Sequence, residues 1–150
     1  MFAKIVSGGQ TGVDRAALDV ALELGLPCGG WCPRGRRAED GAIDARFPLR
    51  ETPSPEYAER TEWNVRDSDA TLVLTRGTPK GGTALTVELA RALGRPHRIV
   101  DLAADPQAAS VRAWLAEHGV RVLNVAGPRE SHEPGIGVLA RRFLEQVLPA

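Results

Sequence analysis

Val6-Ser7-Gly8-Gly9-Gln10-Thr11-Gly12-Val13-Asp14 lies between two opposite periodicities. Phe2 to Val6 before it is short and apolar, as a strand would be. After it, Val13, Ala16, Ala17, Val20, Ala21 and Leu24 fall on one helical face. Such a turn leaves backbone N–H groups unpaired at the start of the helix, where the aligned peptide dipoles also concentrate partial positive charge. Gly8, Gly9, Gln10, Thr11 and Gly12 are therefore candidates for holding an anion. The alternative is a plain tight turn in which Thr11 and Asp14 form a variant capping box and satisfy the helix end internally.

The stretch only partly matches the dinucleotide fingerprint. Gly9 and Gly12 fit its second and third glycines, but Ser7 stands where the first belongs. No Lys-Ser or Lys-Thr pair follows, which argues against a phosphate loop of the NTPase type. Ordinary NAD binding also loses ground, because the second strand runs into Trp31, Cys32 and then arginines instead of the acidic residue that would hold a ribose.

A chain of 150 residues fits one domain with one hydrophobic core, spanning 1–150. Formal charge is zero and the basic residues are dispersed, leaving no global footprint for nucleic acid or an anionic membrane. No apolar run approaches the roughly twenty residues that span a bilayer. A first strand so close to Met1 leaves no room for a signal peptide, which points to the cytoplasm. Cys28 and Cys32 show neither redox nor zinc spacing, so they read as free thiols, and no metal site is expected.

Further along, Gly25 ends the first helix and Leu26 to Trp31 reads as a strand weakened by Gly29 and Gly30, glycines that suggest close approach of another backbone or a ligand. Cys32 to Pro55 is a long excursion in which Arg34, Arg36 and Arg37 either meet a phosphate or pair with Glu39 and Asp40 in solvent. Glu56 to Asp69 is a helix crowded with Tyr57, Arg60, Thr61, Trp63, Asn64 and Arg66. Ala70 to Thr75 is a buried strand. A second glycine loop, Arg76 to Ala84, opens the next helix, with Thr83 as a candidate cap and Glu88 near the edge of its apolar stripe. His97 to Leu102 is a fourth strand and Ala108 to His118 a helix, with His118 at the core edge. Arg121 to Val125 is a fifth strand, followed by a third polar loop, Ala126 to Gly135, and a last helix through Leu139, Ala140, Phe143, Leu144, Val147 and Leu148.

Strands alternating with helices indicate an α/β fold, a five-stranded, mainly parallel sheet covered on both faces, in three layers. Right-handed crossovers make its order about 2-1-3-4-5. Parallel strands place the loops after strands one, three and five on one carboxyl edge. Gly8 to Thr11, Gly81 to Thr83 and Arg129 to Ser131 then line one anion-binding crevice.

Several long strings carry a resemblance: Gly8 to Arg15, Gly30-Trp31-Cys32-Pro33, Arg36 to Gly41, Thr61 to Asp69, Gly81-Gly82-Thr83-Ala84 and Leu123 to Ser131. Through them the chain resembles the molybdenum cofactor carrier family over almost its whole length. The resemblance implies a Rossmann-like fold, a homo-oligomer, and binding of the molybdenum cofactor, molybdopterin, through its phosphate and pterin. The wider superfamily includes the lysine decarboxylase-like proteins, nucleoside-monophosphate phosphoribohydrolases marked by P-G-G-x-G-T-x-x-E. Here Pro79 to Glu88 is similar but shifted, and Arg66 stands for the arginine partner.

Three functions follow. In a carrier, the glycine loops and the Arg129 to Ser131 segment form the phosphate crevice while Arg129, Arg34 or Trp31 contacts the rest of a planar, anionic ligand. In an N-glycosidic hydrolase, Glu88 activates water and Arg66 orients it. In a nucleotide sensor, the same crevice signals through oligomer contacts. In each the partner is a small phosphorylated ligand, the molybdenum cofactor or an unidentified nucleotide.

Overall fold

A computed structural model describes residues 2–149. In chain order the elements are β1 (Lys4–Val6), α1 (Val13–Glu23), β2 (Cys28–Gly29), β3 (Trp31–Cys32), β4 (Arg37–Ala38), β5 (Gly41–Ala42), β6 (Arg50–Glu51), α2 (Tyr57–Arg66), β7 (Ala70–Thr75), α3 (Gly81–Ala92), β8 (His97–Asp101), α4 (Ala108–Glu117), β9 (Val122–Ala126) and α5 (Ile136–Val147). The main sheet has five parallel strands in the order β2-β1-β9-β7-β8. The fold is the Rossmann-like α/β class, and the order is close to the one expected.

One strand is displaced. β9, placed at the edge by the sequence reading, inserts between β1 and β7, pairing Ile5 with Leu123 and Thr71 with Asn124. The reason is burial. β9 is Val-Leu-Asn-Val-Ala and is buried from Leu123 onward, as suits a strand flanked on both sides. β8 is His-Arg-Ile-Val-Asp, half-exposed, and its charges suit an edge.

α5 packs between α1 and α4, and α2 packs against α3. Right-handed crossovers put these two groups on opposite faces of the sheet. The main core joins Ile5, Leu72, Leu74, Leu123, Phe143 and Leu144. A second cluster of Leu18, Cys32, Ile43 and Phe47 anchors the long excursion. That segment is therefore packed, with β3 pairing β6 and β4 pairing β5 in two small sheets.

The strand expected over Leu26 to Trp31 is split at Gly30, whose φ is 129°. A Cβ at this position would lie 2.4 Å from the Ser7 carbonyl oxygen, which is the close backbone approach that the glycine pair suggested. Both thiols are free, Cys32 buried and Cys28 half-buried, and burial pushes both up from the usual thiol range. His118 is exposed rather than at the core edge, its ring tilted against Trp114 at 5.4 Å. No helix among the described residues is long and apolar enough to cross a membrane.

Candidate functional site

Because β1, β9 and β7 are adjacent and parallel, their carboxyl ends deliver three loops to one rim. The loops and α2 enclose a cavity of about 580 Å³, in the range of small-molecule sites. Gln10 and Asp14 reach it from the first loop and α1, Tyr57 and Arg60 from α2. Arg76 and Lys80 to Thr83 come from the β7–α3 loop, and Pro128, Arg129, His132 and Glu133 from the β9–α5 loop.

Of the residues singled out from sequence, Gln10, Gly81, Gly82, Thr83 and Arg129 meet at this cavity. Thr11 and Gly12 instead line a shallower depression between α1 and α5, together with Arg15 and Glu130. Gly8 and Gly9 are spacers: a Cβ on Gly8 would lie 2.2 Å from Arg60 Nη1, and one on Gly9 2.4 Å from Leu49 Cδ1. Trp31 stands edge-on to Trp63 at 4.8 Å and donates from its indole nitrogen to Asp67 at 2.8 Å, away from the cavity. Arg34 is exposed, its backbone N–H bound to the Ser54 carbonyl. Ser131 is exposed and hydrogen-bonded to Glu39. Glu88 is exposed and lies outside the lining, and Arg66, also exposed, pairs with Asp67 at 2.7 Å.

The three helix starts differ in how their amides are satisfied. At α1, Gly9 N–H donates to Ser7 Oγ at 3.2 Å, Gln10 N–H to Asp14 Oδ2 at 3.4 Å and Val13 N–H to the Pro128 carbonyl at 3.3 Å. Gly9 and Gln10 of the first loop, and Val13 at the start of α1, thus already spend their amides within the protein. Asp14 does reach back as a capping-box acid would, but its partner is Gln10. Thr11 donates to Glu39 and accepts from Glu130 N–H at 3.1 Å. At α5 the Glu130 carboxylate accepts from Gly135 and Gly137, taking the place an external anion would occupy.

α3 starts at the cavity wall. Its N-cap, Lys80, makes no side-chain cap, and Thr83, the expected cap, is buried in the cavity wall without capping. Thr83 N–H returns to the Lys80 carbonyl at 3.0 Å. Among the described residues no protein acceptor meets Gly81 N–H or Gly82 N–H. Both glycines are exposed on the cavity side.

The charges on the lining favour an anion. Arg60 pairs with Asp14 at 3.4 Å and Arg76 with Glu133 at 3.6 Å. Lys80 and Arg129 have no carboxylate within 4.0 Å among the described residues. The Arg129 guanidinium lies 4.1 Å from the Tyr57 ring centroid. Burial pushes the Asp14 carboxyl up against the opposing pull of Arg60, and it lowers the Arg60 guanidinium. Two buried polar atoms here are unmatched, Gln10 Oε1 and Arg60 Nε. The Gln10 amide is fixed in orientation because its nitrogen faces two carbonyls, Arg37 at 2.9 Å and Gly8 at 3.5 Å. Each unmet group costs about 1–3 kcal/mol in a closed fold, a cost that binding sites commonly carry.

Lys80, Arg60, Tyr57 and Arg76 escaped the sequence reading as site residues. A signal existed for Lys80, a cation directly before the glycine pair that opens a helix, and for Tyr57 and Arg60 in the polar density of α2. No group of three or more His, Cys, Asp or Glu among the described residues could hold a metal ion.

No functionally curated protein matches the chain. A 1.45 Å crystal structure from Syntrophus aciditrophicus SB, of a protein named "Putative molybdenum carrier protein", is similar with a TM-score of 0.94. Sequence identity is 42%, covering 99% of this chain and 96% of that one. The model of the circularly permutated YpsA SLOG family matches residues 5–148. On a match that spans nearly all of its length, the chain belongs to the circularly permutated YpsA SLOG family.

Proposed function

We propose that the protein binds and carries a phosphate-bearing cofactor, the molybdenum cofactor being the ligand that the sequence resemblance implies, in keeping with a structural relative named as a molybdenum carrier. The observation that carries this reading is the open N-terminus of α3, where Gly81 and Gly82 offer unpaired amides beside Lys80. In this reading the phosphate sits against Gly81, Gly82 and Lys80. Gln10, Thr83 and Arg129 contact the remainder, and the loop of Gly8, Gly9, Thr11 and Gly12 with Trp31, Arg34 and Ser131 is the frame that holds these groups in place. The donor set fits such a group: it offers two amides and an ammonium to phosphate, and the Arg129 guanidinium and the unmatched Gln10 oxygen to the remainder of the ligand.

The reading extends to a cytoplasmic homo-oligomer whose partner is a small phosphorylated ligand, with neither nucleic acid nor membrane involved. Light scattering checks the oligomeric state. The hydrolase reading has less support, since Glu88 and Arg66 lie outside the cavity. Isothermal titration with inorganic phosphate, AMP and the molybdenum cofactor tests the proposal. Saturable binding is expected, weakened about tenfold or more in Lys80→Ala. No saturable binding of any of the three would overturn it.

A further inference from the structure

Tyr57 gathers three guanidinium groups from three separate parts of the chain. Arg129 of the β9–α5 loop lies 4.1 Å from its ring centroid, Arg37 of β4 4.7 Å and Arg60 of α2 5.9 Å. Stacking of cations on a ring is favourable for each. Bringing three together is not, unless negative charge is at hand.

The carboxylates within reach are few and already engaged. Asp14 pairs with Arg60 alone, at 3.4 Å. Glu39, close enough to Arg129 to feel its charge, is held by Thr11 and Ser131. Glu130 is spent on the start of α5. Arg37 finds only the Pro55 carbonyl, at 3.3 Å, and Arg129 has neither an ion pair nor a side-chain hydrogen bond among the described residues. Arg60 Nε is a buried donor with no acceptor.

We infer that Arg37, Arg60 and Arg129 on Tyr57 form a second anion subsite, distinct from the start of α3. The ligand class is one with two anionic groups, such as a diphosphate or a bisphosphate. This rests on the cavity being the ligand site proposed above, and it adds a requirement that one phosphate at α3 does not meet. The long excursion also gains a role, since it supplies Arg37.

The test pairs ligands that differ by one anionic group: inorganic pyrophosphate against phosphate, ADP against AMP, and fructose 1,6-bisphosphate against fructose 6-phosphate. Each is titrated calorimetrically into the wild type, Arg37→Ala and Arg129→Ala, with thermal melts confirming that the variants fold. The expected result is at least a tenfold preference for the doubly anionic member of one pair or more, falling toward unity in both variants. Arg129→Gln, which keeps most of the side chain's bulk, is expected to show the same fall and serves if the alanine variant does not fold.

Preferences within about threefold in every pair, or a preference that survives all the variants, would overturn the inference. If phosphate or AMP then still binds and Lys80→Ala weakens it, the carrier reading stands without the second subsite. Absence of binding by all six probes would overturn the second subsite, and absence of binding by the molybdenum cofactor as well would overturn both.

Discussion

Glu39 and Ser131, 92 residues apart in the chain, are joined by hydrogen bonds from both the hydroxyl and the backbone N–H of Ser131. The N–H lies 3.3 Å from Glu39 Oε1. Thr11 donates to the same carboxylate, and the neighbouring Asp40 pairs with Arg15 at 2.6 Å. Two consecutive acids thus clasp the excursion onto the first and third loops and α1, two residues beyond Arg37.

The clasp depends on pH with a definite sign. Hydrogen bonds from Ser131 and Thr11 hold the Glu39 carboxyl below its usual range, and Arg15 does the same for Asp40. A carboxyl lowered in the folded state contributes stability that is present above its unfolded value, about pH 4.3 for Glu, and is lost as pH falls through the folded one. The melting temperature of the wild type is therefore expected to exceed that of Glu39→Gln at neutral pH. The gap should close on acidification below about pH 4.3. Coinciding melting temperatures at neutral pH would show that the clasp contributes nothing to the fold, and a gap unchanged on acidification would show that its contribution does not depend on the Glu39 charge.

The exposed position of Glu88 gives a prediction in the opposite direction. It lies on α3 outside the cavity lining, while Leu85 and Thr86 face inward. Glu88→Gln is expected to leave phosphate and AMP affinity within about twofold of the wild type, a difference of about 0.4 kcal/mol. Base release from AMP by the wild type, abolished in this variant, would restore the hydrolase reading.

How much of this was legible in the sequence follows from which forces leave a local trace. Parallel strands impose one direction on their loops, so the meeting of Gln10, Gly81 and Arg129 could be read from strand–helix alternation alone. The centre position of β9 could have been read as well, by weighing Val122 to Ala126 against the charged His97 to Asp101. The hydrogen-bond accounts of the helix starts could not. Glu130 takes the amides of Gly135 and Gly137, and Asp14 that of Gln10, through side chains whose direction is set by tertiary packing. Three glycine-rich loops look alike in sequence, yet the first spends the amides of Gly9 and Gln10 on its own side chains and the third those of Gly135 and Gly137, while Gly81 and Gly82 at α3 keep theirs open on the cavity side.

The glycines themselves separate into those the fold requires and those it does not, and this distinction is testable. Gly12 has φ 80°, and a Cβ there would sit 2.3 Å from the Pro128 carbonyl oxygen, a backbone atom that cannot swing aside. Gly12→Ala combines backbone strain with that overlap and is expected to destabilise the protein by about 2–3 kcal/mol. Gly82 lies within α3, is not at positive φ, and a Cβ on it would meet nothing within 4 Å. Alanine is the better helix former there, so Gly82→Ala is expected to stabilise the fold by about 0.5–1 kcal/mol. If the bare start of α3 holds phosphate, the same methyl group narrows the approach to the amides, and phosphate affinity should fall severalfold while the melting temperature rises. Chemical denaturation and calorimetric titration of the two variants together decide the matter. A Gly82→Ala protein that gains stability and binds phosphate undiminished would show that this glycine serves neither the fold nor the ligand.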